Sequence, residues 1–97
     1  MSKLQVLADI QGYIARNGGN YPSWYAGIAC DPRDRLFTGH SVKEQGDYWI
    51  YRTCDSNDDA RSVENTLLRL GAKGGPCGGD NDTKAVYAYR IATHTVE

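Results

Sequence analysis

The chain has 97 residues, of which 40% are hydrophobic and 24% are charged, and its formal net charge is −1 at pH 7. This length and composition are typical of one soluble globular domain, so residues 1–97 are treated as a single domain. The slightly acidic balance argues against a general nucleic-acid binder, although a local basic patch remains compatible with it. No apolar run approaches the roughly 18 residues that a membrane span needs, and the N-terminus lacks the apolar core of a secretion signal. We therefore expect a cytoplasmic protein that has no membrane partner.

The first predicted element is an amphipathic helix over residues 3–17. Its apolar residues recur at helical spacing, and Ser2 followed by Gln5 is a capping-box pattern. The helix should end at Asn17, because two glycines follow. We expect this helix to cover one face of a sheet.

The second predicted element is a strand over Trp24–Cys30, which we expect at the centre of the sheet. Its seven residues are almost wholly apolar, as in a strand that is buried on both faces. Asp31 can then accept hydrogen bonds as an N-cap, and Pro32 suits the first position of a helix. The sequence therefore predicts a strand, a tight turn and a short helix over 32–40.

The second half of the chain predicts two more strands and one more helix. Ser56 and Asp59 form another capping-box pattern, and Gly71 follows the apolar periodicity that they open. The elements are a strand at Tyr48–Cys54, a helix over 57–70, a glycine-rich loop over 71–83, a strand at Ala85–Ile91 and a tail over 92–97. The predicted fold is α/β (α+β): a three-stranded sheet with strand 24–30 at its centre, flanked by helices 3–17, 32–40 and 57–70.

The glycine-rich loop has two interpretations. It lacks the Gly-Lys-Ser/Thr ending of a Walker A sequence, and no helix follows it. It is either a flexible connector or a loop whose backbone can approach a ligand closely.

A spaced set of residues carries a family resemblance. Tyr25-Ala26-Gly27 lies on the predicted central strand, Arg35 follows about ten residues later on the short helix, and Glu64 lies on the later helix. In this order the set resembles the GIY-YIG nuclease superfamily, over roughly residues 23–70. The resemblance implies that Arg35 neutralises charge on a scissile phosphate and that Glu64 binds Mg²⁺ or Mn²⁺. It also implies a functional histidine near the end of the short helix, where His40 stands.

The chain departs from that family in one respect. No Gly-Ile-Tyr strand precedes Tyr25, but Val86-Tyr87 near the C-terminus has the right character to replace it. A strand apolar on both faces needs paired neighbours on both edges. We therefore expect Ala85–Ile91 and Tyr48–Cys54 to flank Trp24–Cys30, with Tyr87 on the same face as Tyr25 and on the side of Glu64.

Two site residues have open alternatives. Glu64 falls within the apolar arc of its helix, and a buried carboxylate must be paired, protonated or bound to metal. It is either a metal ligand or the partner of Arg35 or Arg52 in a salt bridge. Arg35 has the spacing of the family, but in a regular helix it would point away from the buried side, where Arg33 and His40 would flank the core.

These observations support two functional hypotheses. The first is a metal-dependent nuclease in which Tyr25 or Tyr87 helps to deprotonate water, Arg35 stabilises charge, His40 assists, and Glu64 holds one Mg²⁺ or Mn²⁺. The second is a catalytically inactive binding module on the same scaffold that contacts a protein, a nucleotide or a nucleic acid. A solvated histidine at a helix end is the alternative for His40.

Overall fold

The computed structural model of the chain describes residues 1–74 and 82–97. The helices are α1 (Lys3–Arg16), the short α2 (Pro32–Asp34) and α3 (Asn57–Arg69), and the strands are β1 (Trp24–Ala29), β2 (Trp49–Thr53) and β3 (Ala85–Arg90). These positions confirm the predicted mixed fold with three strands. Residues 75–81 of the predicted glycine-rich loop lie outside the described residues. No helix in the described parts of the chain is long and apolar enough to span a membrane.

The sheet is antiparallel throughout and its strand order is β1-β3-β2. The central strand is therefore β3, and the prediction that strand 24–30 lies at the centre is wrong. The outer edge of β1 is not left unpaired, because Ala26 donates to the carbonyl of Lys73 and Lys73 donates to that of Trp24, both at 2.8 Å. This short parallel bridge satisfies buried backbone groups that we expected a full strand to satisfy.

The two faces of the sheet carry different side chains. Helices α1 and α3 cover one face and form the aliphatic core with alternate residues of the strands: Val6, Ile10, Ile14, Ala26, Ile28, Ile50, Val63, Leu67, Val86 and Ala88. The opposite face carries mainly aromatic side chains, and Leu36 and Val42 pack against it. The expectation that α1 covers one face is confirmed.

The register brings the tyrosines together on the aromatic face. Tyr25 pairs with Tyr89, and Gly27 pairs with Tyr87. Because directly opposed residues of paired strands project to the same side, Tyr25 and Tyr87 share a face. Two predictions are thereby confirmed: β3 lies beside β1, and Tyr87 lies on the face of Tyr25. The helix that carries Glu64 packs on the other face of the sheet. The expectation that Tyr87 lies on the side of Glu64 is therefore wrong for the faces on which α3 and Tyr87 pack.

The predicted helix over 32–40 is not regular. After α2 the chain forms a π turn (Arg35–Gly39), in which the N–H of His40 donates to the carbonyl of Arg35 at 2.9 Å. Ser41 then has a φ of 59°, a left-handed conformation that is uncommon for a residue other than glycine. The wider turn rotates the side chains relative to those of an α-helix, which changes where Arg35 and His40 point.

Candidate functional site

His40 lies at the centre of the candidate site. The π turn and Ser41 bring it against the aromatic face of the sheet, where it is only 5% exposed. Its ring centroid lies 4.7 Å from that of Tyr25, 5.0 Å from that of Tyr89 and 5.5 Å from that of Tyr87. The interpretation of His40 as a solvated histidine at a helix end is therefore wrong.

The hydrogen bonds of His40 define its tautomer. Nδ1 lies 2.6 Å from the carbonyl oxygen of Val96, which can only accept, so Nδ1 carries the proton. In the neutral ring Nε2 then accepts, and the Tyr87 hydroxyl donates to it at 2.8 Å. The Tyr89 hydroxyl lies 3.1 Å from Nδ1 and donates to Val96 at 3.3 Å. Each polar atom of the ring therefore has a defined partner.

The surroundings of His40 favour this neutral form. Burial lowers its pKa below the ordinary value of 6.5, and the positive charge of Arg35 lowers it further. The carbonyl of Val96 and the charge of Glu97 act in the opposite direction without reversing the shift. At neutral pH, Nε2 is therefore unprotonated and accepts the hydrogen bond from Tyr87.

Gly27 provides the space for the Tyr87 ring. A Cβ at this position would lie 2.6 Å from the Tyr87 hydroxyl oxygen and 2.7 Å from Cζ, far closer than an ordinary contact. Only glycine lets the tyrosine of β3 lie across β1 and reach His40. The Tyr25-Ala26-Gly27 spacing thus has a structural reason here, because its first and third residues meet the same face of the sheet.

Tyr25 and Tyr87 differ in accessibility. Tyr87 is 3% exposed, and burial raises the pKa of its hydroxyl far above the ordinary value of 10; Tyr25 and Glu64 reinforce the shift and Arg35 opposes it. Tyr87 therefore stays protonated and serves as a hydrogen-bond donor. Tyr25 is partly exposed, and its hydroxyl makes no hydrogen bond with any residue that the structure describes. Its ring stacks on Tyr89 at 5.3 Å, which fixes its orientation.

The structure separates the two candidate arginines. Arg33 turns toward β2, where Nη2 lies 2.8 Å from Glu44 Oε1 and the guanidinium lies 5.1 Å from the centroid of Phe37. Arg35 is exposed and forms no ion pair within the described ranges, and its charge acts on both His40 and Tyr87. The charge of Arg35 thus acts on the hydrogen-bonded pair of Tyr87 and His40, whereas Arg33 contacts Glu44 and Phe37.

Glu64 is a buried carboxylate without a described partner. It is 6% exposed, and it forms neither an ion pair nor a hydrogen bond in residues 1–74 and 82–97. The salt-bridge interpretation is therefore wrong: Arg35 is unpaired there, and Arg52 binds Asp9 through Nε at 3.2 Å. Burial raises the pKa of Glu64, and the charge of Arg61 only partly offsets this. Since no fully buried side-chain oxygen in the described structure lacks a partner, the carboxylate keeps some contact with solvent.

The structure brings His40 and Tyr25 against Tyr87, whereas Glu64 lies on a helix that packs on the opposite face of the sheet. His40 is hydrogen-bonded to Tyr87, Tyr25 lies 6.5 Å from it between ring centroids, and the charges of Arg35 and Glu64 both act on its pKa. Glu64 does this although α3 packs on the opposite face of the sheet. The described parts of the chain contain no group of three or more metal-ligating side chains. An ion held by Glu64 alone among the described side chains would keep most of its water, as Mg²⁺ usually does.

Sequence reasoning missed the contribution of Tyr89 and of the C-terminal tail. The predicted tail is bound at two of its residues: Val96 N donates to the carbonyl of His40 at 2.8 Å, and His94 binds Asp47. Side chains alternate between the two faces along β3, so the sequence does predict that Tyr89 lies on the same face as Tyr87. The tail gave none, since a backbone carbonyl carries no side-chain pattern.

Comparison of the chain with known protein families, curated proteins and solved structures finds no match. The site must therefore be interpreted from its own geometry.

Proposed function

We propose that this domain hydrolyses phosphodiester bonds in a nucleic acid with the help of one divalent cation, Mg²⁺ or Mn²⁺. The observation that carries the proposal is that two charged side chains without described partners both act on one hydrogen-bonded pair of residues. The buried carboxylate of Glu64 and the exposed guanidinium of Arg35 lack described partners, and both act on Tyr87, which is bonded to His40. An anionic substrate would neutralise Arg35, and a cation would neutralise Glu64.

Arg35 is the residue for the substrate phosphate. A guanidinium presents several N–H donors in one plane, which matches phosphate oxygens and the charge that develops on them. Its exposure leaves it able to contact an incoming strand, and no described carboxylate competes for it. Arg33, in contrast, lies over the rings of Phe37 and Trp49.

Tyr25 is the residue for the attacking water. Its hydroxyl has no described hydrogen-bond partner and belongs to a partly exposed ring whose position is fixed by stacking. Tyr87 and His40 lie behind it as a buried positioning pair, in which the neutral imidazole accepts a hydrogen bond from the Tyr87 hydroxyl. A bound divalent ion would polarise the phosphate and make a coordinated water more acidic. Glu64 would hold that ion, and the cation would remove the cost of the buried negative charge.

A binding module without catalysis is the second candidate. It is favoured by the position of α3, which carries Glu64 on the face of the sheet opposite the tyrosine–histidine cluster. In this case the tyrosines are a packed layer, and their hydrogen bonds stabilise the fold. Such a module would bind its partner equally well with Glu64 or with glutamine at that position.

The test is cleavage of fluorescent single-stranded and duplex oligonucleotides with Mg²⁺, with Mn²⁺ and with EDTA. We expect metal-dependent cleavage that Glu64→Gln abolishes and that Arg35→Gln slows by roughly 10²- to 10³-fold, the usual effect of removing one charge-stabilising donor. Arg69→Gln, an exposed change of equal charge in the last turn of α3, is the matched control.

A metal titration separates the two candidates. An ion that binds only the folded protein raises its free energy of unfolding by about 2.7 kcal/mol at 100 times the Kd. We expect such stabilisation in the wild type and none in Glu64→Gln. Cleavage that persists in EDTA, or that is equal in Glu64→Gln, would refute the metal-dependent enzyme. A wild type that neither cleaves nor is stabilised by the ions would be the binding module.

A further inference from the structure

A groove runs along the outer edge of β2. One cleft of about 400 Å³ and a second of about 390 Å³ share Arg33 and Tyr51, and the second shares Tyr13 and Arg52 with a third cleft of about 200 Å³. The three neighbouring clefts share lining residues along this edge, and we call them together the β2 groove. The site around His40 does not use it.

The middle of the β2 groove is lined by aromatic and cationic side chains. Its described lining contains two guanidinium groups and no carboxylate: Tyr13, Arg33, Trp49, Ile50, Tyr51 and Arg52. The rings of Trp49 and Tyr51 are nearly parallel, with 6.1 Å between centroids and 10° between planes, and both are partly exposed. The Arg33 guanidinium lies over the Trp49 ring, 5.9 Å from its centroid.

The backbone of β2 is already occupied by side chains, which excludes a peptide strand as the occupant. The N–H of Trp49 donates to the Tyr13 hydroxyl at 3.1 Å, and the carbonyl of Tyr51 accepts from Arg52 Nη1 at 2.8 Å. The N-terminal amine donates to the carbonyl of Thr53 at 3.1 Å. An added strand would have to break these bonds to pair with the edge.

We infer that the β2 groove binds single-stranded nucleic acid, with bases stacked on Trp49 and Tyr51 and phosphates on Arg33 and Arg52. A row of aromatic rings beside cations is the combination that binds single strands without sequence preference. Bases inside a duplex are stacked on each other and cannot reach the rings, so the groove selects unpaired strands.

The ion pairs that Arg33 and Arg52 already form do not prevent these residues from binding phosphates. Arg33 with Glu44 and Arg52 with Asp9 are partly exposed pairs, and such pairs contribute little to stability. Each guanidinium has five N–H donors, so it can bind a phosphate while it keeps a carboxylate contact. With two phosphates neutralised, the logarithm of the binding constant should fall with the logarithm of salt concentration with a slope of about −1.4.

This inference deepens the proposed function, on which it rests for its role, because it names an unpaired strand as the substrate class. Binding itself is measured without cleavage. The assay uses Glu64→Gln protein in EDTA and a fluorescent oligothymidylate of about ten nucleotides, which is within the range of known single-strand site sizes.

The expected result is saturable binding that weakens by roughly 5- to 160-fold in Trp49→Leu, the range expected for the loss of one stacked base. Leucine keeps apolar volume at this partly buried position, and thermal melting confirms that the variant folds. Tyr48→Ala is the matched control, because Tyr48 is an exposed neighbouring aromatic that does not line the groove. Arg33→Gln should weaken binding and flatten the salt dependence, whereas Arg69→Gln should do neither.

Three outcomes would overturn the inference: no binding, equal affinity for the duplex of the same sequence, or equal loss in the variants and their controls. If Tyr51→Phe, which retains the ring, weakens binding as much as Trp49→Leu, stacking is also refuted. Failure of the proposed function is distinguished from these, because wild-type protein would then bind the strand without cutting it. Conversely, cleavage that Trp49→Leu leaves unchanged would refute the groove and leave the enzyme intact.

Discussion

The substitution Gly27→Ala tests whether Tyr87 must cross β1 to reach His40. The new Cβ would lie 2.6 Å from the Tyr87 hydroxyl oxygen, so the ring must move by about 0.8 Å to reach the 3.4 Å of an ordinary contact. Along the bond, such a shift would lengthen the 2.8 Å distance between Tyr87 and His40 to about 3.6 Å, which is outside hydrogen-bonding range.

The expected destabilisation follows from two terms. Overpacking a close-packed site costs about 1–3 kcal/mol, and loss of the buried hydrogen bond adds about 0.5–1.5 kcal/mol. The free energy of unfolding should therefore fall by about 1.5–4.5 kcal/mol. In a domain of this size the lower bound alone corresponds to a melting temperature lower by roughly 6 °C or more.

Urea and thermal unfolding followed by circular dichroism measure this change, and the ¹⁵N shifts of the His40 ring report the hydrogen bond. Gly12→Ala is the control, because its nearest neighbour is the flexible end of Arg16 at 3.5 Å. In the helix interior that substitution should stabilise the domain by about 0.5–1 kcal/mol. If Gly27→Ala melts like the wild type with unchanged His40 shifts, the packing of Tyr87 on Gly27 is refuted.

Two further predictions concern pH and charge. Burial raises the pKa of Glu64 in the folded state above its ordinary value of 4.5. In EDTA the wild type should therefore gain stability as the pH falls from the folded-state pKa of Glu64 toward 4.5. Glu64→Gln should be at least as stable as the wild type at pH 7 and should lack this gain in urea titrations; a large fall in its stability would contradict an unpaired carboxylate. Burial lowers the pKa of His40, so the stability that it contributes is present above pH 6.5 and should be lost as the pH falls through its folded value. His40→Gln should flatten that dependence, measured in a His94→Gln background so that His40 is the one histidine compared; an unchanged slope would show that His40 is not held neutral.

Part of the candidate site was predictable because its signals are local. The capping residues Ser2 and Ser56 and the helical periodicity gave α1 and α3 within one or two residues of their ends. The buried arc of α3 identified Glu64 as a carboxylate in an apolar setting, and strand alternation put Tyr87 and Tyr89 on one face.

Other features required the tertiary structure, because they depend on groups far apart in sequence. Both β1 and β3 are apolar on both faces, so composition alone could not decide which strand is central. In the structure the backbone of Lys73 forms hydrogen bonds with the outer edge of β1, and β3 is the central strand. The π turn set the positions of Arg35 and His40, which helical periodicity could not give because it assumes a regular turn.

The amino-acid sequence by itself therefore determined the type and extent of the elements and the residues with unusual chemistry. Only the tertiary structure determined which of these residues contact one another. Tyr87 meets His40 because glycine stands at position 27, and Nε2 of His40 is left as a hydrogen-bond acceptor because Nδ1–H donates to the carbonyl of Val96, 56 residues away. A backbone carbonyl is the same at every position of a sequence, and only packing determines which side chain it reaches.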